Sequence, residues 1–282
     1  MLITQFSMIK SFVSSILTQN NIPIIKEKEF NILYTAAFGS GYGFENFQKI
    51  NFKYKIFIFT DQKKFLNLNN KKFHIHLINS SYNKSHLNRI FKFLPHKIFP
   101  NVKNTTYFDA KKFPNQNINL IKKIFNLNAD ILVSKFNLPY DCTYAHYKDL
   151  IKKKIINQNQ ILENLIKHYK KSKFPKNFGM VDNCIIFRKK NNNIDFMFEK
   201  ILYYMIEFKI YRDQLLIMYF LWKARNKFNF KSYNFDEYFD VSKNSRVKML
   251  LLKKIYYFDR ENIIFRIINK LTFKFLDKLI VK

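Results

Sequence analysis

Between Arg89 and Lys111 the sequence RIFKFLPHKIFPNVKNTTYFDAK sets two cations, Arg89 and Lys92, ahead of one acid, Asp109. The segment around the cations is helix-like, and Pro95 and Pro100 break it. Thr105 to Phe108 is a short β-prone run that ends on Asp109. A carboxylate at the C-terminal end of a buried strand is where open α/β sheets place ligand chemistry. Cations on the preceding helix, facing the same crevice, can hold a phosphate. Farther on, Arg212, Asp213 and Gln214 open a second helix, and Asp213 and His96, the latter beside Pro95, are the candidate bases. Each has a plainer reading. Arg212-Asp213 makes a helix cap with a surface ion pair, His96 a loop histidine bonded to backbone, Asp109 a turn cap, and Lys92 a solvated cation.

These residues need a scaffold. Asn31–Phe38 and Lys55–Thr60 read as strands covered on both faces, the second ending on Asp61. Phe73–Ile78 is a third strand, with His74 and His76 on one half-exposed face. Asp130–Val133 and Cys184–Phe187 complete the set. Helical stretches lie between them, over 119–127, 144–171 (kinked near its middle), 194–208 and 212–226. Strands alternating with helices predict a largely parallel, doubly wound sheet. Only four glycines are present, and Gly39, Gly41 and Gly43 cluster in the loop after the first strand. That loop is not the dinucleotide fingerprint.

Apolar residues make up 48% of the 282, and the net charge is +30. This is a folding chain, not a disordered one. Lys, Asn, Ile and Phe are abundant together, as an AT-rich coding sequence produces, yet the resulting field favours anionic partners whatever its origin. Cys142 and Cys184 form neither a disulfide framework nor a zinc pattern, which fits a reducing compartment. There is no apolar run long enough to span a membrane. The first 30 residues read as a short amphipathic extension. Residues 246–282 are basic with apolar positions at helical spacing, as in helices that lie on anionic membrane surfaces.

Several segments together resemble one family. The pieces are YTAAFG, FIFTD, R-x-x-K-x-x-P-H-x-x-F-P, YFDA, D-C-x-Y, FGMV, IIFR and YRDQL. The family is the glycosyltransferase-like domain of plant mucilage-related and bacterial surface-polysaccharide proteins, itself similar to the retaining glycosyltransferases of family eight. The resemblance covers residues 31–225. It implies an α/β, GT-A-like, Rossmann-type mostly parallel sheet flanked by helices over 31–230; the residues beyond it, 231–282, read by their own pattern as a basic helical segment. It also implies a nucleotide-sugar donor. Thr35, Ala36, Phe38 and Asp61 would line the nucleotide side, and Arg89 would face the donor diphosphate or sugar; apart from the resemblance, Lys92 and Lys111 are further cations available to a diphosphate. Asp109 would be the first acid of a D-x-D metal motif, and Asp213 and Gln214 would line the sugar pocket.

The sequence departs from that pattern in two places. Lys111 stands where the second acid of D-x-D belongs, which puts a Mn or Mg ion in doubt. The family's His and Arg near Asn137 and Tyr140, and its acid near His146, are also missing. The expectation is a cytoplasmic glycosyltransferase, peripheral at the inner face of the membrane. It would use a glycan or lipid-linked acceptor, follow a retaining course, and need no specific nucleic acid. Two alternatives stay open: an inactive glycan-binding or scaffolding member, and a basic nucleic-acid-binding protein.

Overall fold

The computed structural model describes residues 2–26, 30–39, 44, 47, 55–68, 72–114, 123–124, 127–136, 142–156, 159–210, 212–235 and 239–241. The chain divides into two units, Met1–Phe239 and Asp240–Lys282. The fold is that of the first unit. The basic tail expected over 246–282 lies outside the described residues, as do Gly41, Gly43 and most of the helix expected over 119–127.

Among the described residues there are nine strands: β1 (Asn31–Ala37), β2 (Ile56–Thr60), β3 (Phe73–Leu77), β4 (Asn104–Phe108), β5 (Lys112–Pro114), β6 (Ile131–Lys135), β7 (Val181–Lys189), β8 (Phe230–Tyr233) and β9 (Phe239–Val241). The helices are α1 (Leu2–Gln19), α2 (Lys84–Phe93), α3 (Pro95–Ile98), α4 (Thr143–Lys152), α5 (Gln160–Lys171), α6 (Asn192–Glu207) and α7 (Gln214–Lys223). The seven strands other than β5 and β9 form one sheet in the order β3-β2-β1-β4-β7-β6-β8. Every neighbouring pair is parallel except those of β7, which runs antiparallel to both β4 and β6. The mostly parallel α/β sheet expected from the sequence is therefore present, with one reversed central strand.

Chain order runs outward from β1 to β3, then returns to β4 on the other side of β1. The gap between β1 and β4 is thus the topological switch point, where open sheets form their ligand crevice. Both faces of the sheet are covered. Ile32, Tyr34 and Ala36 of β1 face a core shared with α2, α6 and α7, whereas Leu33 and Ala37 face a second core with Phe47, Phe65 and Phe108. This is why β1 and β2 read as continuous apolar runs. Helix α1 also belongs to the first core, burying Ile9, Val13 and Ile16.

The skewed composition is used at helix ends. Asn83, Asn159 and Asn191 cap α2, α5 and α6 by accepting from the first free amides. With few glycines available, left-handed residues after α1, α4, α5 and α6 are Asn21, Lys154, Lys173 and Lys209. Each closes a Schellman pair of backbone bonds, as where Lys154 N reaches Ile151 O and Ile155 N reaches Leu150 O.

The segment expected as one kinked helix over 144–171 is two helices, α4 and α5. Strand β8 was not evident in the sequence, nor was the full nine-residue length of β7.

Candidate functional site at the sheet's C-terminal rim

Alternation along β4 decides which side chains meet. Tyr107 faces the α2 side and Phe108 the other, so Asp109 returns to the α2 side at the strand tip. There the Tyr107 hydroxyl donates to Asp109 Oδ1 at 2.8 Å. Burial, and then the adjacent Asp109 charge, push the Tyr107 phenol well above its usual range, so it remains a donor. Lys92 Nζ stands 3.7 Å from the same carboxylate oxygen.

Helix α2 ends at Phe93, with Pro95 opening the next short helix. Pro95 has no N–H and continues nothing. The Lys92 carbonyl, in the last turn of α2, accepts from Arg188 Nη2 at 3.1 Å and from the Tyr34 hydroxyl at 3.3 Å. Two buried side chains thus fix the residue whose ammonium reaches the rim. Arg188 itself lies over the Phe198 ring, 4.4 Å from its centroid.

Lys92 Nζ also lies 3.2 Å from Asp213 Oδ2, and Arg89 Nε lies 3.8 Å from the same oxygen. Asp213 Oδ1 accepts from Gln214 N at the start of α7. Burial alone would raise the Asp213 carboxyl, but Lys92, Arg89 and the Asn183 amide outweigh it and hold the group at about 2. The Lys92 side chain is 4% exposed and that of Asp213 4%, against 42% for Asp109. The order from solvent inward is therefore acid, ammonium, acid.

Strand β7 contributes because it is reversed: its beginning meets the C-terminal ends of β4 and β6. A register shift opposite Val133 and Ser134 marks a bulge there, the kind of irregularity that re-aims side chains. Asp109 N donates to Cys184 O at 2.7 Å, and Ser134 Oγ lies 3.2 Å from Cys184 Sγ. Burial raises the Asp182 carboxyl, opposed by Cys184, Lys112 and Lys92. On α4, burial brings His146 down to about 4, in the combined field of Asp149, Arg212 and Asp213.

Sequence reasoning placed Arg89, Lys92, Asp109, Asp213 and Gln214 in one crevice, and the structure brings them together; Gln214 is half-buried beside Asp213. Lys111 is exposed on the turn after Asp109, where Lys112 N returns to Asp109 O. Asp61 stands at the tip of β2. It accepts from Gly39 N at 2.9 Å and pairs with Lys84 at 3.0 Å, so it fixes the loop after β1. Gly39 has φ of +84°, a conformation that favours glycine.

Thr35, Ala36 and Phe38 are buried in the sheet. Phe38 packs on Phe91. Their side chains form the floor beneath the rim rather than a lining. His96 is elsewhere. Its Nε2 lies 2.9 Å from Glu199 Oε1 and its Nδ1 3.4 Å from Asp195 Oδ1. With Arg188 and Thr105 it lines a small cleft at the opposite end of β4.

Tyr107, Asn183 and His146 were missed. The signal for Tyr107 was available, since it lies two residues before Asp109 on a strand. Nothing local marks the other two. Asn137 and Tyr140 lie outside the described residues.

No protein-family model matches the chain, and no curated protein matches it in sequence. Among solved structures it is similar to mouse xyloside xylosyltransferase 1 in its apo form, at 9% identity and a TM-score of 0.42, over 73% of this chain and 86% of that one. It is also similar to the apo structure of the WbbM bifunctional glycosyltransferase, at 11% identity and a TM-score of 0.47. That match covers 82% of this chain but only 46% of the WbbM chain, so the protein spans less than half of WbbM's length.

Proposed function

We propose that the protein is a glycosyltransferase that uses a nucleotide-sugar donor. The observation that carries this reading is the rim cluster beside the switch point. An exposed acid, Asp109, is coupled through Lys92 to a buried acid, Asp213, with Arg89 against the same group. Open sheets of this strand order take ligands at the switch point, which supports a nucleotide there. Arg89 and the exposed Lys111 supply positive charge for a diphosphate. Asp109, held by Lys92 and the Tyr107 hydroxyl, is set to accept from sugar hydroxyls. In transfer, the donor's C1–O bond breaks with its electron pair on the departing diphosphate, and the acceptor oxygen bonds C1. We favour the retaining course, in which the departing phosphate takes the acceptor's proton. Both Asp109 contacts suit holding a hydroxyl more than removing a proton.

The acceptor class we favour is a surface or lipid-linked glycan at the cytoplasmic face of a membrane, reached through the basic segment 246–282. Among the described residues, no helix is long and apolar enough to cross a membrane. The test is a thermal-shift panel of nucleotide sugars and nucleoside diphosphates, since a ligand of the native state raises the melting temperature by mass action. At least one should raise it, and Asp109→Asn should reduce the rise for the sugar nucleotide more than for the bare diphosphate. If none does, the reading fails. A shift without turnover on any acceptor would leave a catalytically silent binder.

A further inference from the structure

The same site bears on metal use, and this inference rests on the glycosyltransferase reading. A divalent ion bridging a carboxylate pair to a diphosphate needs the two acids to face one open position. Here the position between Asp109 and Asp213 is filled by the chain itself. Lys92 Nζ lies 3.7 Å from the first carboxylate and 3.2 Å from the second. It is buried, and its backbone is pinned from behind by Arg188 and Tyr34. The acid two positions after Asp109, which would complete a chelate from one turn, is replaced by Lys111. Among the described residues, no three His, Cys, Asp or Glu side chains are grouped to hold a metal ion.

We infer that this site works without a divalent metal, the Lys92 ammonium being a built-in cation between Asp109 and Asp213. The geometry divides the labour. Lys92 fixes and neutralises the two acids. Asp109 keeps one oxygen for the donor sugar. The charge that builds on the diphosphate as the C1–O bond breaks is met by Arg89 and Lys111. An ion bound at Asp109 would sit against a buried ammonium, and the two positive charges would repel in a poorly screened setting. Asp182, another acid near this cluster, is no substitute partner: it is bonded toward Cys184 and set in the field of Lys112.

The test is calorimetric titration of UDP, GDP and ADP into the whole protein, first in EDTA and then in millimolar manganese. The nucleotide that binds should do so with affinities within about twofold of each other in the two buffers. Lys92→Met alone leaves Asp213 buried with less compensation, and that variant can fail to fold. The charge-balanced pair Lys92→Met with Asp213→Asn avoids this, and in EDTA it should bind at least tenfold more weakly. Manganese resonance spectra of the protein with the bound nucleotide provide a readout independent of turnover, and should match those of nucleotide with manganese alone. Tenfold tighter binding with manganese, or a protein-bound manganese signal lost in Asp109→Asn, would overturn the inference while leaving the glycosyltransferase reading standing. Unchanged affinity in the charge-balanced variant would also overturn it. Absence of binding by any nucleoside diphosphate in either buffer would end both.

Discussion

Two buried charge clusters lie at opposite ends of the same sheet, and they are built in opposite ways. At the N-terminal end, the Glu199 side chain is 0% exposed and gathers Lys10 at 3.1 Å, Lys97 at 3.2 Å and His96 at 2.9 Å. The lysines reach inward from the surface, with side chains 41% and 31% exposed. Their stems pack on the protein while their heads stay partly hydrated, an inexpensive arrangement. It ties α1 and α3 to α6. At the C-terminal rim the ammonium is the enclosed partner and one of the acids, Asp109, is exposed. Enclosing a lysine head costs several kcal/mol of hydration, roughly offset by its partners, so nothing is gained in stability over an apolar core. The first cluster reads as a clasp. The second makes sense as a site, and exposure of the acid rather than the number of charges tells them apart.

That contrast can be broken most directly at the enclosed acids. Asp213→Ala leaves a buried ammonium and a guanidinium uncompensated, and should lower stability by about 3–5 kcal/mol. Glu199→Ala releases cations that can hydrate, and should cost about 2 kcal/mol with nucleotide binding kept. Equal losses in denaturant titrations, or loss of nucleotide binding in the Glu199 variant, would erase the distinction.

A pH series sharpens it. The native His146 pKa of about 4 lies below the value near 6.5 of an unfolded histidine. Between those values the unfolded chain binds the proton first, so stability is complete above about pH 6.5 and falls as pH drops toward 4. The loss is on the order of 3 kcal/mol, and His146→Gln should flatten that window. The Asp213 contribution persists to lower pH: present above about 4, it disappears as pH falls toward about 2.

Asp109→Asn should change stability by only about 1 kcal/mol, since the acid is the hydrated member of its pair and Lys92 keeps Asp213, yet reduce sugar transfer by about 100-fold. Wild-type turnover in that variant would remove Asp109 from the chemistry. The smallest effects lie far from both clusters. Lys154→Gly, Lys173→Gly and Lys209→Gly each relieve a left-handed backbone and should raise the unfolding free energy by roughly 0.5–1 kcal/mol apiece, read as a higher midpoint in denaturant.

Much of this was legible before any coordinates. Strands β1, β2 and β4 announce themselves as short, apolar, β-branched or aromatic runs because both of their faces are covered. The direction of β7 was not legible: nothing in VDNCIIFRK says which way it enters the sheet, and that direction brings Asn183 to Asp213. Arg89 and Asp213 are 124 positions apart in the sequence, and only the resemblance of ordered motifs joined them. His96 carried the right chemistry in the right stretch. However, α3 follows the end of α2 and turns it toward α6, away from the rim. Thr35, Ala36 and Phe38 stand at and just past the end of β1 but are buried, since a parallel strand in a doubly covered sheet has little solvent side to offer. Asp213 was expected to line a pocket, and burial makes it the anchor of two cations instead.

Strand β7 has a consequence for synthesis on the ribosome. It is the sole strand of the main sheet that pairs with β4 on one side and β6 on the other, and it is made after both. Until residue 189 has emerged, β1–β4 form a half-sheet with an open border, and β6, whose other neighbour β8 comes later still, has no partner in that sheet. Two unfinished ladders must wait for one late insertion, and open borders of this kind invite pairing with other chains. The nascent protein is most exposed to misassembly during this interval.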